Sequence, residues 1–304
     1  MPTSHPDDNA TQSVMLVANP RSGTLQRDPA LLEQAVQALR SWRLEPQVHR
    51  LEPDRPVRKL VGEALAAGMR RFAVLGGDGT LSAVAGVLAG SDASLAILPG
   101  GTANNVARCM GVPADMEGAA ALLRTGRLVA VDVGRARCAG AEAVFLELCM
   151  VGLISTLSAI GDEIRHGNPR RIGAFLRTLA LTPPAAFTLS LDGGEPATHN
   201  AHLAVVTNMP ATGLHFQVAC PGCQRDGLLD VQMFADLNKP GLLRHLAGGV
   251  YLDKPEDPRI TRQQARRVVI ETEPAQPVSV DGDIIGYGKC EIEIWPGALQ
   301  IYVP

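Results

Sequence analysis

Aromatic residues are scarce in this chain, at 4% of 304 positions. Its core has to be built from Leu, Val, Ile and Ala, and no aromatic-basic interleaving suits single-stranded nucleic acid. An excess of either charge is also lacking. Lys and Arg number 28 against 31 Asp and Glu, a net charge of -3, so no overall basic field exists to hold nucleic acid. Long apolar runs are missing too. Leu148–Gly161 carries no charge but is shorter than the roughly 20 residues of a spanning helix, and Pro183-Pro184 interrupts Thr178–Leu191. The first residues, MPTSHPDDNATQS, lack the basic-then-apolar pattern of a secretory signal. The six cysteines are scattered, which suits free thiols in a reducing compartment better than a disulfide framework. The expectation is a cytoplasmic protein, at most peripheral at the inner face of a membrane. Its oligomeric state is open.

Two familiar phosphate-binding signatures are absent as well. No Gly-Lys-Ser/Thr closes a Walker A loop, and no Gly-x-Gly-x-x-Gly follows the first strand-like run. What is present is a repeated design between Phe72 and Ala107. A short apolar run (Phe72–Leu75, then Leu95–Leu98) stops at a glycine cluster, Gly76-Gly77-Asp78-Gly79-Thr80 and then Gly100-Gly101-Thr102-Ala103-Asn104. Each cluster opens a helical run of small residues. Strand, glycine turn and helix start together point backbone N–H groups at an anion. Asp78 puts a carboxylate beside that anion, which is unfavourable unless a cation or a transferable proton intervenes. Asn19-Pro20-Arg21-Ser22-Gly23-Thr24, after the apolar run Val14–Ala18, is a third donor-rich turn.

The length favours two domains. In the first, strands are expected at Val14–Ala18, Gln47–Leu51 and the two glycine-turn runs, with a further strand, Leu128–Val133, ending in Asp132. Helices are expected at Leu31–Leu39, Pro56–Gly68 and Ala114–Arg124. This alternation implies an open, mostly parallel α/β sheet covered on both faces. Beyond residue 133 come short strand-like runs at Ala143–Leu148, Ala186–Leu191, Ala201–Thr207, Leu228–Phe234, Arg266–Thr272, Val278–Asp281 and Glu291–Trp295. Asp192-Gly193-Gly194, Pro221-Gly222, Asp226-Gly227 and Pro296-Gly297 supply turns, so an antiparallel β-sandwich or barrel is expected. Helical stretches are read at Leu153–His166, Arg170–Leu181 and Pro240–Gly249. The domain division expected is 1–132, 133–290 and a final strand, 291–304, returning to the first domain.

In their order and spacing, Asn19-Pro20-x-Ser22-Gly23, Gly76-Gly77-Asp78-Gly79-Thr80 and Gly101-Thr102-Ala103-Asn104 resemble the catalytic domain of the diacylglycerol kinase and sphingosine kinase superfamily, most of all its soluble bacterial lipid kinases. Asp226-Gly227-Leu228-Leu229-Asp230 and Asp281-Gly282-Asp283 extend the likeness to the C-terminal half. The resemblance implies an ATP-dependent lipid kinase with its site in the cleft between an α/β domain and a β-rich lipid-acceptor domain. It implies that Asn19, Arg21, Ser22, Gly23, Thr24, Gly76, Gly77, Asp78, Gly79, Thr80, Gly101, Thr102 and Asn104 hold nucleotide. It implies that Asp78 organises Mg²⁺ with Asp132 in the same network. Cys223, Asp226 and Leu228 align with a structural magnesium site. Asp281, or failing it Asp283, is the base for the acceptor hydroxyl. Asn105 stands where the family usually has Asp, and Asp283 where it has Glu. The acceptor is left open among diacylglycerol, another glycerolipid, a sphingoid base and a lipid-linked sugar.

Other readings stand beside this one. A polar-acceptor kinase such as an NAD kinase shares the Gly-Gly-Asp-Gly-Thr turn, although Asn208-Met209-Pro210 does not supply its usual Asn-Glu. A binding relative that has lost catalysis is motivated by Asn105. Cys220-Pro-Gly-Cys223 with His215 offers three soft ligands but no clear fourth. Arg165, His166, Arg170, Arg171 and Arg177 surround Ile172, Phe175, Leu176 and Leu179, which suits either docking on anionic lipid or a packed helix with a solvated face.

Overall fold

The run Val14–Ala18 is fully buried and continuously apolar, as a strand covered on both faces must be. It forms most of β1 (Gln12–Ala18). The computed structural model describes residues 11–52, 56–157, 172–212, 216–217, 223–235, 237–242 and 259–304. The chain divides into two compact units: Met1–Ala130 with Leu299–Pro304, and Val131–Ala298.

In the first unit β1 is followed by α1 (Gly23–Arg27), α2 (Ala30–Ser41), β2 (Leu44–Arg50), α3 (Val57–Ala66), β3 (Arg71–Gly76), α4 (Asp78–Leu88), β4 (Ser94–Pro99), α5 (Asn105–Cys109) and α6 (Met116–Thr125). β2, β1, β3 and β4 pair in that order, all parallel. The end of the last strand adds to β4, with Gln300 opposite Ser94 and Ile301 opposite Leu95. Tyr302 hydroxyl lies 3.2 Å from Ser94 Oγ, which ties that end down. β2 begins three residues earlier than its sequence pattern suggests, because parallel pairing with β1 runs from Gln12 opposite Leu44. α3 begins after Pro56, whose ring fixes φ and whose missing N–H costs nothing at a helix start.

The chain enters the second unit inside β5 (Arg127–Cys138). There follow β6 (Ala141–Phe145), β7 (Leu148–Gly152), α7 (Ile172–Leu181), β8 (Ala185–Leu191), β9 (Ala197–Thr207), β10 (Ala211–Thr212), β11 (Phe216–Gln217), β12 (Leu229–Ala235), β13 (Ile260–Ala265), β14 (Arg267–Glu273), β15 (Pro277–Val280), β16 (Asp283–Tyr287) and β17 (Cys290–Val303). One layer reads β16-β15-β7-β9-β12-β13, and the other β9-β8-β14-β17-β5-β6. β9 belongs to both: Ala197–Ala201 pair with β8, and Leu203–Thr207 pair with β7. The core between the layers takes Phe145, Val151, Phe187, Val206, Val231, Met233, Ile270, Val278 and Ile292. A smaller apolar cluster, Leu153, Leu157, Leu203, Val205, Phe234, Leu237 and Leu242, covers the far side of β9 and β12. The α/β unit followed by an antiparallel sandwich is the expected fold class.

Several elements depart from the sequence pattern. β5 runs on to Cys138, so Asp132 sits within a strand rather than ending one. The run Ala143–Leu148 is broken at Leu146 and Glu147, whose N–H groups turn to a side chain instead of a ladder. Pro296-Gly297 is not a turn between strands. β17 passes through it, Gly297 taking a left-handed φ of 59° as a kink. Of the helix expected at Leu153–His166, residues 153–157 are helical, and of that at Pro240–Gly249, residues 240–242, the helix starting one residue earlier at 239. The remainder of both lies outside the described residues, as do Arg165, His166, Arg170, Arg171, His215 and Cys220. Among the described residues no helix is long and apolar enough to cross a membrane.

Gly134 lies opposite Phe145 across the β5–β6 pair, and a Cβ there would overlap the buried ring. Gly134→Ala should lower unfolding stability by about 1–3 kcal/mol through overpacking, read as a lower denaturation midpoint.

Candidate functional site

Three loops leave the carboxyl ends of β1, β3 and β4, the end of a parallel sheet at which ligands bind. Their contact is backbone to backbone. A Cβ on Gly101 would overlap the Cα of Gly77, and one on Gly100 would come within 3.0 Å of Gly76 N. One on Gly23 would stand 2.7 Å from Thr102 Oγ1. At Gly101 glycine is required by closeness rather than by φ, because the neighbour there is backbone. Gly100 N–H donates to Gly76 O at 3.2 Å, and Asn19 N–H to Leu75 O at 3.0 Å, so the first loop binds the end of β3 as well.

Most of the polar side chains expected to hold nucleotide hold these loops to one another. Asn19 Nδ2 donates to Thr80 Oγ1 at 2.8 Å, and Asn19 Oδ1 accepts from Arg21 N–H at 3.0 Å. Ser22 Oγ donates to Gly100 O at 3.1 Å, and Thr24 Oγ1 to Gly101 O at 2.9 Å. Asn104, at a left-handed φ of 48°, accepts from Gly101 N–H at 2.9 Å and donates back to Gly101 O at 3.0 Å. Asp78 Oδ1 accepts from Val106 N–H at 3.2 Å, joining the second loop to the third.

What is left for a ligand is main chain. α4 starts at Asp78 after Gly77, without a side-chain cap. Its first-turn N–H groups have no partner within the helix. α6 differs: Asp115 Oδ1 caps it, accepting from Gly118 N–H at 2.7 Å. An uncapped eleven-residue helix set among close-packed glycine loops presents donors and a positive dipole end to an anion. Gly79, Thr102 and the Arg21 side chain are exposed beside it.

The second unit holds the other acidic residues, and two of them act as clamps. Asp132, 3% exposed, accepts from Gly297 N–H and Gly227 N–H, each at 2.7 Å. Each of its carboxylate oxygens thus accepts one backbone N–H. Asp281 and Gly282 both take left-handed φ values, 45° and 101°, in the turn between β15 and β16. The Asp281 carboxylate accepts from Leu146, Glu147 and Leu148 N–H at 3.0–3.1 Å. This is what breaks the β6–β7 run. Asp283 is exposed at the start of β16. Asn208, weighed from sequence only against an Asn-Glu motif it does not complete, is fully buried. Its Nδ2 donates to Asp132 O and Leu146 O at 2.8 and 3.1 Å, tying the two clamps together.

A profile for the diacylglycerol kinase catalytic domain matches residues 13–136, and one for the YegS C-terminal NAD kinase beta sandwich-like domain matches residues 161–303. A protein named "Diacylglycerol kinase" from Mycobacterium tuberculosis (strain CDC 1551 / Oshkosh) is 33% identical over 255 residues, 81% of each chain. The chain belongs to the diacylglycerol kinase catalytic-domain family. A Pseudomonas aeruginosa (strain UCBPP-PA14) protein named "Probable lipid kinase YegS-like" is 31% identical over 278 residues, 89% of this chain and 88% of that one. Among solved structures, a diacylglycerol kinase from Bacillus anthracis str. Sterne superposes with a TM-score of 0.69 at 22% identity, over 96% of this chain and 97% of that one. Yeast NADH kinase complexed with NADH shares the fold at a TM-score of 0.54 and 11% identity, over 99% and 87% of the two chains. At the family's usual Asp position, Asn105 is buried and accepts from Arg108 Nη2 at 3.0 Å. A neutral amide there meets a guanidinium within its own short helix.

Among the described residues, no three His, Cys, Asp or Glu side chains are grouped to hold a metal. The donors around residues 223–228 are instead hard oxygens, which is the chemistry magnesium takes. Thr207 Oγ1, Asn208 Oδ1, Gln224 Oε1 and Asp230 Oδ2 are buried there without hydrogen-bond partners. Burial pushes the Asp230 carboxyl up from its ordinary value, opposed by the Gln264 amide that donates to it. Unpartnered hard oxygens are the ligands a magnesium ion at this loop would take. Asp226 Oδ1 accepts from Leu228 N–H at 2.9 Å, and Cys223 O accepts from Asp226 N–H at 3.5 Å, so the loop is already closed on itself. Cys223 Sγ donates to Asn208 O at 3.6 Å. The five described cysteines, Cys109, Cys138, Cys149, Cys223 and Cys290, are free thiols.

Asp132→Ala leaves two backbone N–H groups without their charged acceptor. It should lower stability by about 2–5 kcal/mol, by the same amount with and without a chelator. A loss that disappears in the chelator would make Asp132 a metal ligand instead.

Proposed function

We propose that this protein is an ATP-dependent lipid kinase that transfers the γ-phosphoryl group to a hydroxyl of a diacylglycerol-like or other amphiphilic lipid. The observation that carries the reading is the uncapped start of α4, held among three glycine loops at the ends of β1, β3 and β4. Phosphoryl transfer needs positioning and charge neutralisation more than covalent chemistry from the protein. The N–H groups of Asp78, Gly79 and Thr80 are assigned to phosphate oxygens, and exposed Thr102 and Arg21 to the rest of the nucleotide. Asn19, Ser22, Thr24 and Asn104 act one step back by keeping the loops in register. Asp78 is the carboxylate that would hold a magnesium ion here, and the ion would supply charge neutralisation.

The proton of the acceptor hydroxyl is assigned to Asp283. Asp281 is the weaker candidate because three backbone donors already occupy its carboxylate. Asp281 is a positioning residue that sets the turn on which Asp283 stands.

A panel of lipid acceptors with ATP and Mg²⁺, read by mass spectrometry for a gain of one phosphate, tests the activity. A phosphorylated lipid is expected. Transfer to NAD alone would favour a polar-acceptor kinase, and ATP binding without transfer a lapsed relative. Asp78→Ala should cut turnover by at least about a hundredfold with the fold intact. Asp283→Asn should lower kcat by about a hundredfold with little change in KM, as loss of a general base does. Asp281→Ala should instead lower stability by about 2–4 kcal/mol, seen as a lower melting midpoint.

A further inference from the structure

A cavity of about 480 Å³ opens in the second unit between β9, the loop ahead of β8 and residues 237–240. Its lining is Pro184, Asn200, His202, Leu237, Asn238, Lys239 and Pro240, with no acidic side chain among these described residues. His202 is only 6% exposed, and its Nδ1 is buried without a hydrogen-bond partner. A buried polar atom left without a partner costs about 1–3 kcal/mol unless something else satisfies it.

His202 reaches this cavity through a defect in the ladder. Phe234 pairs with Leu203 and Ala235 with Ala201, so His202 is the residue skipped. It falls where β9 passes from β7 to β8. A bulge re-aims a side chain and bends its strand. The next cavity residue along β9 is Asn200. Lys239 is anchored by one N–H to Ala180 O at 2.6 Å and keeps two further donors. Asn238 Oδ1 accepts from Gly241 N–H at 2.8 Å, which leaves its amide N–H₂ as the donor.

We propose that this cavity binds a phosphate anion, either the phosphate of a lipid headgroup or inorganic phosphate, with Lys239 supplying the charge and His202 Nδ1 a buried hydrogen bond. The donors match a tetrahedral oxyanion: an ammonium, an imidazole nitrogen and two carboxamides line one opening, with no carboxylate among its described lining residues. Burial and the Lys239 charge hold the His202 imidazole below its ordinary value. An anion seated beside Lys239 and His202 offsets the second of these, the Lys239 charge. The proposal does not depend on the kinase reading, since the cavity lies within the second unit and its test involves no phosphoryl transfer.

Inorganic phosphate titrated into the full chain, followed by the imidazole ¹⁵N resonances, is the direct test. Loss of one set in His202→Gln assigns the residue. The His202 signals should move saturably with phosphate but not with chloride at equal ionic strength. Lys239→Ala should weaken the apparent affinity by about tenfold or more, and Lys239→Arg should restore most of it. Sedimentation with phosphatidylglycerol or phosphatidylcholine vesicles separates the sources. Binding to the former that Lys239→Ala or excess phosphate abolishes identifies a headgroup. Unchanged sedimentation alongside a phosphate-sensitive His202 identifies the free anion. A His202 signal indifferent to phosphate, with vesicle binding indifferent to Lys239, overturns the proposal.

Discussion

The first unit depends on how closely two backbones approach. Gly77 and Gly101 stand at the ends of adjacent parallel strands, and neither loop could take its path if position 101 carried a Cβ. That approach lets the three loops share hydrogen bonds through Asn19, Ser22, Thr24 and Asp78. It also leaves the first turn of α4 as unclaimed donors in a setting built to be rigid. Preorganised donors of this kind need no rearrangement when charge arrives, which is the property a phosphoryl-transfer site requires.

The second unit uses the same economy with the signs reversed. Here carboxylates hold backbone N–H groups. Asp132 joins a β5 position to the residue 227 loop and the kink at Gly297, and Asp281 fixes the break between β6 and β7. Charge-assisted bonds of this type are the stronger ones, and partly buried they stiffen segments that would otherwise be open loops. Buried Asn208 links the two clamps, so the acidic motifs of the C-terminal half form one framework. Exposed Asp283 is carried on that framework rather than being part of it.

Fold and site were unequally legible in the sequence. Strands β1, β3 and β4 were plain because a strand buried on both faces reads as a continuous apolar run, and the glycine clusters marked the turns. β13, with the sequence Ile-Thr-Arg-Gln-Gln-Ala, gave little signal, since only Ala265 of it is fully buried. Pro296-Gly297 looked like a turn, but an exposed Pro and a kinked Gly within β17 break no strand. At the site, the loops could be named while the partners of their hydroxyls could not. Whether Ser22 donates to a phosphate or to Gly100 O depends on how near β4 lies, which is tertiary information. The aim of His202 was likewise hidden, because a bulge arises from pairing with β12 and leaves no mark in local composition.

The central claim is that the α4 start and its flanking glycine loops receive the phosphates of a nucleoside triphosphate. Hydrogen–deuterium exchange with and without ATP and Mg²⁺ measures this most directly. The account predicts that backbone amides within 76–80 and 100–105 become strongly protected, with smaller changes elsewhere in the first unit. ATP binding that leaves those amides exchanging freely, with protection in another segment, would contradict it.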